Sequence, residues 1–315
     1  MAWFKRRAER PRAPSIFERL ERAGPEESAA PSPDDPSAHR WARGEGDVYL
    51  TFRVGATEPS AAAAGDLAFS ELVGAMHDEV REPTGATRVA LDIAIEAFEP
   101  ATHMDRLVDA VVMGGGFEPL ALYDLVRRLA TEGTTPKQVQ VGAALMGLFT
   151  DPDDDEILRV LARSPTYSVY AAVALTNRLG PFATLADRQR LWSELAQKSA
   201  GWARALLVER VCAEPVTEEP LRSWLLAEGW RSGPGTERAA APVARAVRLL
   251  DLAREADLDH DRFVAACALL AAVGSAEGFA GAAEIREALL ALSPRLARPE
   301  DAAQLEALRA QRSTG

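Results

Sequence analysis

A weak internal repeat of helix pairs constrains this chain more than any other feature. An Ala-rich apolar segment is followed by a shorter amphipathic one, and the pair recurs, most visibly between Val139 and Gly229. The first block runs from VQVGAALMGLF to ILRVLARS, the second from YSVYAAVALTNRL to LWSELAQKS, the third from WARALLVERVC to SWLLAEG. Their starts, Val139, Tyr167 and Trp202, lie about 30 residues apart, a period that suits two short helices per repeat. The opening helix of each block is apolar around most of its circumference and must be buried on several sides. Stacked repeats bury it, and its amphipathic partner then lines one surface. The pattern predicts an all-α helical-repeat solenoid, a fold that presents a binding surface.

Helical periodicity continues from about Asp66 to the C-terminus. It predicts helices over 67–81, 86–98, 101–113, 119–132, 136–149, 153–163, 166–179, 185–198, 202–213, 218–228, 242–256, 259–273, 280–292 and 299–311. Pro and Gly punctuate most joints, and the short connections suit antiparallel neighbours. Three regions follow: a disordered arm over 1–46, an extended segment over 47–65 and an α-helical repeat domain over 66–315. Within residues 1–22, seven Lys/Arg oppose three Glu. Ser15-Ile16-Phe17-Glu18 reads as a capping box, and Ile16, Phe17 and Leu20 give the following turns an apolar side. A helix this short is marginal in water, so it is expected to fold only against the main body or a partner. Residues 23–46, rich in Pro, Ser, Ala and acids, read as a linker. DVYLTFRV at 47–54 has a strand's alternation but no second strand to pair with, and reads as an extended segment laid on the first helices.

Residues from about 86 to 275 resemble the HEAT/armadillo-type helical-repeat superfamily. The likeness is carried by Val141–Phe149, Val169–Leu179 and Ala205–Cys212, with second helices at Ile157–Ala162, Leu191–Ala196 and Leu221–Ala227. The stretch from Gly142 to Gly229 is also similar to bacterial HEAT-like proteins of uncharacterised function. The resemblance implies a HEAT-like solenoid and a non-catalytic scaffold or adaptor that holds a protein or peptide partner. The superfamily also contains DNA glycosylases for alkylated bases and chromophore lyases, activities that fold analogy alone does not transfer.

The net charge of −11 argues against a general nucleic-acid binder, which needs a Lys/Arg excess for phosphate contacts. Cys212 and Cys267 sit in apolar helical contexts without CxxC or Cys/His spacing, and read as buried free thiols. No apolar run approaches the ~18–20 residues of a membrane span, and no apolar core follows the basic start, so the cytoplasm is the expected compartment. Trp3-Phe4 with Lys5, Arg6 and Arg7 would contact a membrane only weakly. The arm is otherwise expected to dock on a second partner, or to fold back on the solenoid as a regulatory plug.

Signatures of chemistry are sparse, and no cofactor or metal is expected. Gly133-Thr134-Thr135-Pro136-Lys137 lacks phosphate-loop spacing and reads as a helix–helix turn. Asp151, Asp153 and Asp155 imitate a calcium loop, but Glu156 and Ala162 occupy the required Gly and Glu positions, which leaves an N-cap cluster. His39, His77, His103 and His260 form no i,i+4 pair.

One constellation stands out. At an offset of 32 residues, Tyr170 aligns with Trp202, Asn177 with Glu209 and Arg178 with Arg210. An aromatic seven residues before a polar group shares its helix face. Glu209 lies in an apolar arc and needs a partner such as Arg178, Arg210 or Arg222. One reading is an ion-pair ladder that registers adjacent repeats. The other is a polar–aromatic binding site formed by Tyr170, Asn177, Arg178, Trp202, Glu209 and Arg210, with Trp224 and Trp230 as anchors. An alternative function is a base-excision or lyase-type enzyme that uses Glu209.

Overall fold

Local chemistry sets most helix ends. Thr84 with Thr87, Thr135 with Gln138 and Thr184 with Asp187 form reciprocal capping boxes, and Pro119, Pro136 and Pro165 occupy first-turn positions. The computed structural model describes residues 13–23, 59–114, 116–233, 236–255, 257–273, 279 and 281–310. Among these every regular element is helical. The N-terminal helices are α1 (Ile16–Arg22), α2 (Pro59–Arg81), α3 (Gly85–Ala97), α4 (Pro100–Gly114) and α5 (Pro119–Glu132). The repeat region holds α6 (Pro136–Met146), α7 (Asp153–Leu161), α8 (Pro165–Arg178), α9 (Leu185–Gln197), α10 (Gly201–Val211) and α11 (Glu219–Trp224). A π-helical turn, Leu225–Gly229, extends α11. There follow α12 (Thr236–Ala246), α13 (Leu249–Leu252), α14 (His260–Val273), α15 (Ala282–Leu296), a 3₁₀ turn (Pro299–Asp301) and α16 (Ala302–Ala310).

Alternate helices form a row: α4 packs on α6, α6 on α8, α8 on α10, α10 on α12 and α12 on α14. Helices α6, α8 and α10 are the apolar openings of the three sequence blocks. Val139, Val141, Ala143, Leu145 and Met146 of α6 are all sealed from solvent, as are Ala205, Val208 and Val211 of α10. Their partners flank the row, α5 against α6, α7 against α8, and α9 against α10. Small residues permit the closest approaches. A Cβ on Gly142 would lie 2.4 Å from the Ala130 backbone nitrogen, and one on Gly147 would lie 2.7 Å from the Ala174 Cα.

Two expectations change. Residues 59–65, assigned to an extended segment, already belong to α2. The span 242–256 is not one helix: Pro242 falls inside α12, and Arg248 adopts a left-handed conformation (φ 54°) that breaks the chain before α13. The remainder of the arm, including 47–54, lies outside the described residues. The segment that is described behaves as its capping box requires. The Ser15 hydroxyl accepts from the Glu18 N–H and the Glu18 carboxylate accepts from the Ser15 N–H, and α1 packs against α5 and α7.

Buried polar groups tie the first helices together. The buried Glu79 carboxylate accepts from Arg128 (2.7 Å), Arg88 (3.3 Å) and the Thr87 hydroxyl (2.6 Å), joining α2, α3 and α5. Cys267 is buried and Cys212 half-buried, both are free thiols, and burial pushes each thiol up to about 12. Native protein at pH 8 is therefore expected to react with a thiol-specific disulfide reagent far more slowly than unfolded protein, in which free Cys titrates near ~8.5. Stopped-flow absorbance with and without denaturant measures that difference.

Candidate binding surface

The structure brings Tyr170 and Arg210 into one electrostatic neighbourhood. Tyr170 on α8 is 7% exposed, and its hydroxyl is buried without a hydrogen-bond partner. Burial raises its pKa, with the carboxylates of Glu99 and Asp105 adding to the effect. On α10, burial lowers the pKa of Arg210, against the opposing pull of Asp105 and then Glu209. The Arg210 guanidinium sits 5.8 Å from the Trp192 ring centroid, and the indole of Trp192 donates to the Thr176 hydroxyl at 2.9 Å. Asp105 of α4 thus acts on side chains of both α8 and α10. Glu209 is half-buried beside Arg210 and also raises the Cys212 thiol.

Of the other expected site residues, Arg178 and Trp230 make contacts elsewhere. Asn177 is exposed. The Arg178 side chain is 7% exposed and turned to the α6–α7 connection, where its Nε donates to Asp155 (2.7 Å) and its terminal nitrogens to the carbonyls of Phe149 and Asp151. Arg222 pairs with Glu219 and donates to the Val247 carbonyl. Trp230 is a core residue whose indole donates to the Leu226 carbonyl at 3.0 Å. Trp224 is half-buried under Arg204 (5.8 Å), which also donates to the Glu228 carbonyl at 3.0 Å. The Trp202 side chain lies outside the described residues.

The Asp-rich turn holds a centre that alternation did not reveal. Asp154 is sealed from solvent; its Oδ1 accepts from the Tyr123 hydroxyl at 3.2 Å and lies 3.5 Å from Arg127, while Oδ2 lies 3.7 Å from Arg178 without a hydrogen bond. Burial holds this carboxyl above its usual range despite those partners. Tyr123 and Arg127, one turn apart on α5, supply two of its partners. Asp151 accepts from the Asp153 N–H at 3.0 Å, as a capping cluster does. Among the described residues no group of three or more His, Cys, Asp or Glu is arranged to hold a metal. His77 stacks on Phe117 (3.8 Å), and His260 lies 2.8 Å from the Leu296 carbonyl.

An open groove of about 380 Å³ lies between α7 and α9, lined by Arg159, Leu179, Phe182, Asp187, Arg190 and Glu194. Phe182 is 95% exposed there, carried on a turn that Gly180 enters at φ 81°.

No protein-family model, curated protein or solved structure matches the chain. No helix among the described residues is long and apolar enough to cross a membrane.

Proposed function

We propose that this protein is a non-catalytic scaffold, a HEAT-like solenoid that holds a protein or peptide partner beside Tyr170 and Arg210. The observation that carries this reading is the Tyr170 hydroxyl, buried and without a protein partner. Such a group costs about 1–3 kcal/mol unless something satisfies it, and a partner that displaces the side chains covering it would. The desolvated Arg210 and the Trp192 ring add features common at binding hot spots. Asp105 acts on both Tyr170 and Arg210, while Glu99, which bears on Tyr170, is itself paired with Lys137 at 2.7 Å.

The test exploits opposite effects of one substitution. Tyr170→Phe removes the unsatisfied hydroxyl, so the melting temperature is expected to stay level or rise. Partner capture is expected to fall at least about tenfold. Immobilised wild-type and variant chains are compared in host extract by quantitative mass spectrometry. A partner set retained equally by both contradicts the proposal.

A further inference from the structure

The segment docked on α5 and α7 has the form of a bound ligand. Helix α1 is seven residues long and is separated from α2 by residues 23–58. Helices of that length do not hold in water by themselves, so α1 is helical because it is docked. Its contacts are few. Ile16 and Ser15 are buried, Phe17 and Leu20 rest partly buried against the core, and the Ile16 N–H donates to the Gly133 carbonyl at 3.3 Å. The rest of its polar end is satisfied internally, by the box between Ser15 and Glu18. Helix α1 therefore carries its own cap to the groove and asks it mainly for an apolar seat.

We infer that the groove between α5 and α7 is an exchangeable helix-binding site and that α1 is its resident occupant. The site takes a short amphipathic helix with a capping Ser or Thr followed by apolar residues at the first, second and fifth helical positions, as in Ser15-Ile16-Phe17-Glu18-Arg19-Leu20. This is helix-in-groove recognition with folding coupled to binding. Helix α1 makes its main contacts with α5 and α7 alone among the described helices. A segment tethered to its own site competes at an effective concentration of about millimolar. A partner helix must outcompete it, so occupancy of the groove is gated by α1. This surface is distinct from the Tyr170 neighbourhood, and either reading can fail alone.

The test uses the full chain and a fluorescein-labelled peptide of residues 13–23 as probe. Two full-chain variants release α1: Ile16→Asp, which removes the anchor, and the double substitution Ser15→Ala with Glu18→Ala, which removes the cap and leaves the apolar residues. Fluorescence anisotropy is expected to show both variants binding the probe at least about tenfold more tightly than wild type. The same probe carrying Ile16→Asp is expected not to bind. Equal affinity for wild type and a folded variant, or binding by neither, overturns the inference. Should Ile16→Asp fail to fold, as judged by circular dichroism, α1 is an integral core element and the inference is equally overturned.

Discussion

Replacing Arg178 with alanine is expected to cost about 3–5 kcal/mol of stability, the range for breaking a buried ion pair from one side. The guanidinium closes the α6–α7 connection onto the end of α8 through Asp155, Phe149 and Asp151, and it faces the sealed carboxylate of Asp154. Its removal leaves two carbonyls without this donor and one buried acid short of a cation. Replacing Asp154 with asparagine is expected to change stability by less than about 1 kcal/mol at neutral pH. The Tyr123 hydroxyl still has an acceptor, and Arg178 keeps Asp155. The pH dependence follows in sign. The folded pKa of Asp154 is raised, so folding favours its protonated form. That contribution is full below the unfolded value near ~3.9 and is lost as pH rises through the folded value. In Asp154→Asn this component disappears from the stability profile. Urea unfolding of the two variants across acidic to neutral pH measures both effects.

Gly142→Ala is expected to destabilise by about 3 kcal/mol or more, although Ala ordinarily gains about 1 kcal/mol over Gly inside a helix. The new methyl would meet the Ala130 nitrogen at 2.4 Å and the Ala130 Cα and Leu129 carbonyl carbon at 2.9 Å. These are backbone atoms of α5 and cannot rotate aside, so the helices must part, and close-packed interiors resist that. Gly74→Ala supplies the control. Nothing lies within 4 Å of its added Cβ, and a gain of about 0.5–1 kcal/mol is expected there. Parallel denaturant titrations of the two variants should move in opposite directions.

Helix positions were readable because they are written locally. The span 119–132 is recovered without change because Pro119 opens it and Gly133 closes it. The identity of the row was readable too: a helix as uniformly apolar as Val139–Met146 has to be enclosed. The break at Arg248 left no such mark, since a left-handed arginine carries no glycine to announce it. The candidate site was legible only in part. Residues aligned by the repeat share a helix face, but the period says nothing about which neighbouring loop a long side chain enters. Arg178 and Arg210 are equivalent by alignment, yet one clasps the α6–α7 turn and the other lies over Trp192. Asp154 stayed hidden because an acidic helix start looks the same whether its carboxylates face water or a buried tyrosine.

Alternate helices α4 to α14 pack as one row, and α1 is inferred to be a separable guest on α5 and α7. Native-state hydrogen exchange on the full chain tests it most directly. Amides of α6, α8 and α10 are expected to exchange together and last. Amides of α1 are expected to exchange at least about a hundredfold faster, with no loss of protection in the row. Exchange of α1 in step with α6 and α8, or early opening of α8 between slowly exchanging neighbours, would contradict it.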